Sequence, residues 1–105
     1  MEKNENSQTL LLEVLGASPP MRVLDFLIEN ERTSWSLIEI SKNAKVGYST
    51  LKLIIPTLLK AGLIKVDRTI GRVKLYIIVK NNGIVQKLSS LRNTINSQLV
   101  ETFIN

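Results

Sequence analysis

The sequence predicts a mostly α, α+β fold in which a steeply crossed helix pair is followed by a two-stranded hairpin and a long C-terminal helix. Three observations carry this. A Ser-x-x-Glu capping box at Ser36–Glu39 opens a short apolar-faced segment, which breaks at Ala44-Lys45-Val46-Gly47 and is followed at once by a second such segment. Two β-rich runs then flank the turn signal Gly71. After Asn81-Asn82, apolar residues recur at helical spacing through Phe103.

Residues 7–15 (SQTLLLEVL) read as a short helix that stops at Gly16, whose missing Cβ suits a left-handed C-cap. Ser18-Pro19-Pro20 starts the next helix, with Ser at the N-cap and Pro at the first helical position, where its absent N–H costs nothing. Val23, Leu24, Leu27 and Ile28 share one face as far as Asn30, with Arg22, Asp25 and Glu29 expected on the solvent side. Thr33-Ser34-Trp35 connects to the capped helix, where Leu37, Ile38 and Ile40 are expected inside and Asn43 marks the end. Val46 is the one apolar residue of the break and can plug the core. The following helix, Tyr48 to Ala61, turns Leu51, Ile54, Ile55 and Leu58 inward and is stopped by Gly62. Pro56 removes the N–H that would bond to the Lys52 carbonyl, so a kink or a restart is expected there.

Residues 63–68 and 73–78 are expected to pair across Thr69-Ile70-Gly71-Arg72, with Arg68 and Arg72 flanking the tip and Lys74 on the returning strand. The last helix runs from Gly83 to Phe103, about 30 Å by helical rise. Ile84, Leu88, Leu91, Ile95, Leu99 and Phe103 form its apolar stripe. A chain of 105 residues holds little else to cover so long a stripe, which predicts a homodimer packed through it about a two-fold axis. Folding back over the first helix of the same chain is compatible with that interface. The division expected is residues 1–80 for nucleic-acid binding and 81–105 for dimerisation. This order of parts is what a winged helix-turn-helix looks like in sequence, the hairpin being the wing.

Charge follows the same division of labour. Residues 1–41 carry three basic and seven acidic side chains, whereas residues 42–92 carry eleven basic ones against Asp67 alone. A basic block on folded elements is the electrostatic footprint of phosphate binding, so double-stranded DNA is the expected partner. Within the block, Ser36, Lys45, Tyr48, Ser49, Thr50 and Lys52 from the helix pair and Arg68, Arg72 and Lys74 from the wing are the candidate DNA-binding residues. The sequence contains no Cys and no His, which removes disulfides, thiolate metal sites and His-based catalysis; no metal and no cofactor are expected. Glu29 and Glu31 read as solvated surface, and Gly-Tyr-Ser-Thr at 47–50 lacks the Lys and glycine spacing of a phosphate-binding loop, so no catalytic residue is assigned and an enzyme is not expected. The opening MEKNENSQ has no signal-peptide pattern, and no apolar run is long enough to span a bilayer; a cytoplasmic, nucleoid-associated protein is the expectation.

From Gly16 to Leu88 the chain resembles the small archaeal winged helix-turn-helix regulators of the PadR/MarR-like superfamily. The resemblance rests on Ser18-Pro19, Arg22 to Leu27, Glu39-Ile40, Ala44, Ser49-Thr50-Leu51, Pro56, Leu58, Gly62-Leu63, Lys65, Arg68, Ile70 to Arg72, and Leu75-Tyr76. It implies that Pro56 is tolerated and that the last helix dimerises as in PadR-like proteins. The chain departs from the pattern at Lys45, where such proteins carry Gly, and at Gly47, Tyr48, Lys52 and Leu53, where they carry a Ser cap and Arg or Tyr. Either Asn43 takes the left-handed conformation or the turn differs.

Three functions are compatible with these residues. The first is a homodimeric transcription regulator with the second helix of the pair in the major groove. The second is an architectural or partition protein of a plasmid or virus that coats DNA and is recognised by a second protein, motivated by the absence of Arg from the reading helix. The third is a protein-interaction winged helix, to which the acidic first half and Leu53 point. Phe26 and Trp35 are candidates to line an effector pocket, though ordinary core explains them as well.

Overall fold

The computed structural model describes residues 9–104 and the side chains of 9–98. The Thr9 hydroxyl caps α1 (Leu10–Leu15) by accepting the Leu12 N–H. The helix is shorter than the sequence suggests, and residues 7 and 8 lie outside the described part. Gly16 ends it at φ 100°, ψ 153°. That is an extended, glycine-only conformation in place of the expected left-handed cap.

Ser18 caps α2 (Pro19–Glu29) as expected, with both prolines in the first turn and Asn30 at the C-cap. Val23, Leu24, Leu27 and Ile28 are buried, and so is Asp25, only 4% exposed. The solvent-facing assignment of Asp25 is therefore corrected. Its carboxylate accepts from Thr9 Oγ1 at 3.0 Å and from Arg92 Nε at 2.9 Å, joining α2 to both ends of the chain. A buried carboxylate needs such partners, and these lie 16 and 67 residues away in sequence.

The capping box of α3 (Leu37–Ala44) is complete: Ser36 Oγ accepts the Glu39 N–H, and Glu39 Oε1 accepts the Ser36 N–H. Ile40 is fully buried, but Ile38 is 62% exposed, which corrects its placement in the core. Lys45, not Asn43, takes the left-handed conformation, with φ 59° and ψ 46°. Behind it Val46 plugs the core, held by the Ser41 hydroxyl donating to its carbonyl.

α4 (Tyr48–Lys60) runs through Pro56 as one helix, so of the kink or restart expected there the restart does not occur. Its end is a Schellman motif: the Gly62 N–H bonds to the Leu59 carbonyl and the Leu63 N–H to Leu58, with Gly62 at φ +76°. Leu58 and Leu63 are both buried, supplying the apolar contact that accompanies the motif.

β1 (Ile64–Ile70) and β2 (Val73–Ile78) pair antiparallel, with Ile64 opposite Ile78 and Ile70 opposite Val73. The loop is thus two residues, Gly71-Arg72, where four were expected. Gly71 has φ +61° and Arg72 does not, the pattern of a type II′ turn whose twist matches the strands. The register jumps between Val66 and Arg68, leaving Asp67 as a β-bulge. Trp35 bridges β2 by exchanging two backbone hydrogen bonds with Tyr76, of 2.8 and 2.7 Å. This hydrogen-bonds the wing to the segment leading into α3.

Asn82 caps α5 (Gly83–Ile104), accepting the N–H groups of Ile84 and Val85 while its amide donates to the carbonyls of Ala61 and Gly62. One side chain thereby satisfies the start of α5 and the end of α4. The core is formed by α2, α3, α4 and the wing, and Val85 completes it from α5. Leu11 and Leu12 of α1 are also buried, and α1 packs on α5 and α2.

Candidate nucleic-acid interface

α4 owes its outward face to the same periodicity that fills the core. Leu51, Ile55 and Leu58 are buried, and Ile54 packs against them. This leaves Tyr48, Ser49, Thr50, Lys52 and Leu53 exposed over the first two turns, as expected. Gly47 is the N-cap and makes no side-chain cap bond, so that end of α4 presents unblocked backbone N–H groups beside the Tyr48 and Ser49 hydroxyls. Such an end attracts phosphate. The Lys52 ammonium lies 5.4 Å from the centre of the Tyr48 ring, a cation–π contact across one turn of the helix.

The wing faces the start of α3. A cleft of about 640 Å³ is lined on one side by Ser36, Leu37, Ile38 and Glu39 of the α3 cap and first turn together with Tyr48 of α4, and on the other by Arg72, Val73 and Lys74 of the wing. Four of the nine candidate DNA-binding residues, Ser36, Tyr48, Arg72 and Lys74, therefore share one concave surface. The Ser36 hydroxyl accepts one hydrogen bond in the capping box, and its own O–H can still donate. Lys45 is exposed at the turn between the two helices.

Arg68 does not join that group. Pairing is regular from Ile70–Val73 at the two-residue turn, so Lys74 pairs with Thr69 and Arg68 with Leu75, and the bulge at Asp67 lies beyond them. Adjacent pairs point to opposite faces of a hairpin, so Arg68 and Lys74 lie on opposite sides of the wing. Arg72 sits in the loop itself, not beside it. Arg68 reads as flanking the tip in sequence because residues 69–72 read as a four-residue loop, whereas β1 continues through Thr69 and Ile70 and leaves Arg68 within the strand.

On α5 the expected stripe divides. Leu88 packs against the core next to Val85, and Arg92, on the same side, carries the bond to Asp25 and a second contact to Glu29 at 3.3 Å. Ile84 and Leu91 stay 58% and 40% exposed, and Ile95 is half-buried. The side chains of Leu99 and Phe103 lie outside the described residues. Phe26 and Trp35 meet each other, ring centres 5.0 Å apart, and pack on the core, as ordinary core side chains do.

Among the described residues no group of His, Cys, Asp or Glu is placed to hold a metal ion, and no helix is long and apolar enough to cross a membrane. No family model and no curated protein matches the chain. Solved structures do share its fold. One is a MarR family transcriptional regulator from Silicibacter pomeroyi DSS-3, at a TM-score of 0.62 and 17% identity over 87% of this chain and 65% of that one. Another is RV1404 from Mycobacterium tuberculosis, at a TM-score of 0.61 and 21% identity over 89% of this chain and 65% of that one. The chain spans just under two thirds of the length of either. The fold is thus the winged helix-turn-helix with a long C-terminal helix.

Proposed function

We propose that this chain is a homodimeric, DNA-binding transcription regulator that places α4 in a major groove and the wing on the neighbouring backbone. The observation that carries the reading is the shared cleft, which sets Tyr48, at the exposed start of α4, on one surface with Arg72 and Lys74 of the wing. Two wing cations and Tyr48 on one surface, with the uncapped start of α4 at Tyr48, suit a sugar–phosphate strand, Glu39 being the one carboxylate in the lining. The likeness of fold to a MarR family transcriptional regulator supports the same class. Dimerisation runs through the exposed part of α5, Ile84, Leu91 and Ile95, continuing along the helix to Leu99 and Phe103; a two-fold axis there sets the two α4 helices on successive turns of the duplex.

A second reading keeps the fold and the dimer but makes the protein a DNA coat with loose sequence preference. It is favoured by one observation, the lack of Arg on α4. A gel-shift and footprint titration on DNA flanking the protein's own gene, with random competitor at near-physiological salt, separates the two. A discrete two-fold footprint that survives competitor is the expected result. A protected zone that lengthens with protein concentration establishes the coat, and unchanged mobility even at low salt removes DNA as the partner.

A further inference from the structure

The composition of α4 restricts which base edges it can recognise. Across YSTLKLIIPTLLK there is no Arg for the bidentate contact to guanine, no Asn or Gln for adenine, and no Asp or Glu to accept from cytosine. On its exposed first two turns, hydroxyls, one lysine and one leucine remain. The lysine is drawn over the Tyr48 ring, and hydroxyls serve any base. The leucine is Leu53, at 79% the most exposed large apolar side chain among the described residues. With 100° between successive residues, it points away from the Leu51–Leu58 core stripe, at the crest of the helix. A leucine on the crest of a helix that also carries Lys52, within a block that holds eleven basic residues against Asp67 alone, is placed for a surface that is anionic around an apolar point. The major groove offers one such point, the C5-methyl of thymine.

We propose that Leu53 is a specificity-determining residue that packs on a thymine methyl, so that the preferred site carries thymine at the step under the second turn of α4. This rests on α4 being the groove-entering helix. Burying one methyl-sized group is worth about 0.8 kcal/mol, which is about four-fold in affinity per methyl.

The test uses the full chain and a duplex it selects from a randomised pool. Each thymine of a half-site is replaced in turn by uracil, which keeps the pairing edge and removes only the methyl. Binding is read by fluorescence anisotropy. At one position of the half-site the wild-type chain is expected to lose about four-fold on uracil, and Leu53→Ala to bind the thymine and uracil duplexes equally. Leu53 lies on the surface, so the variant is expected to unfold at the wild-type temperature. Selective binding with no uracil penalty, or a penalty that persists in Leu53→Ala, overturns the assignment of Leu53 and leaves α4 as the reader. Failure of the wild-type chain to bind any duplex at low salt overturns both, and the exposed leucine then belongs to a protein interface.

Discussion

Replacing Asp25 by Ala should destabilise the protein by about 3 kcal/mol, although sequence pattern alone places this residue in solvent. The substitution removes two acceptors, one for Arg92 Nε at 2.9 Å and one for Thr9 Oγ1 at 3.0 Å. Hydrogen bonds to a charged group contribute about 1.5–3 kcal/mol each. Losing one partner of a fully buried ion pair costs about 3–5 kcal/mol, because the survivor is left charged and dry. Arg92 is not fully buried, its side chain being 14% exposed, and it keeps the exposed Glu29 carboxylate at 3.3 Å, so the lower end of that range applies. At about 4–8 °C per kcal/mol for a domain near 100 residues, Tm should fall by roughly 12–24 °C. Urea and thermal unfolding measure this, at one fixed protein concentration because a dimer's stability depends on it. A double-mutant cycle with Arg92→Gln should give a coupling well above 1 kcal/mol. A loss under about 1 kcal/mol together with no coupling would contradict a buried, mutually dependent pair, since it is the signature of a solvated surface one.

Three further outcomes follow from the geometry. Arg72→Glu should weaken binding to all duplexes and reduce the slope of log K against log salt by about 0.9 for each phosphate no longer neutralised; an unchanged slope takes the wing loop out of the interface. Ile84→Lys combined with Leu91→Lys puts charge on the exposed side of α5 without touching Val85 or Arg92. It should give folded monomers in sedimentation velocity, and a persisting dimer moves the interface elsewhere. Asn82→Ala loses a helix cap worth about 1 kcal/mol and, in addition, two amide bonds to Ala61 and Gly62, for a total of about 2 kcal/mol. Asn82→Asp keeps the acceptor and should recover about half. Equal urea midpoints for wild type and Asn82→Ala would show that the α4–α5 junction does not depend on this side chain.

Local sequence settles where most of the elements begin and end. Ser18, the Ser36–Glu39 box, Gly62 and Gly71 act on backbone groups within a few residues of themselves, so their effect is written locally. The inward stripe of α4, and with it the exposure of Tyr48, Lys52 and Leu53, is legible for the same reason, since one periodicity sets both faces. Tertiary packing settles which face of an element is covered when its own pattern is ambiguous. Asp25 is buried because Arg92 arrives from the far end of the chain, and Ile38 is exposed because no element packs over it. The side of α5 that meets its own chain is set by Val85, Leu88 and Arg92, which leaves Ile84 and Leu91 outside. The gathering of Ser36, Tyr48, Arg72 and Lys74 around one cleft, without Arg68, depends on contacts between segments up to 38 residues apart. No local pattern encodes such contacts, because their free energy exists only once both surfaces are in place.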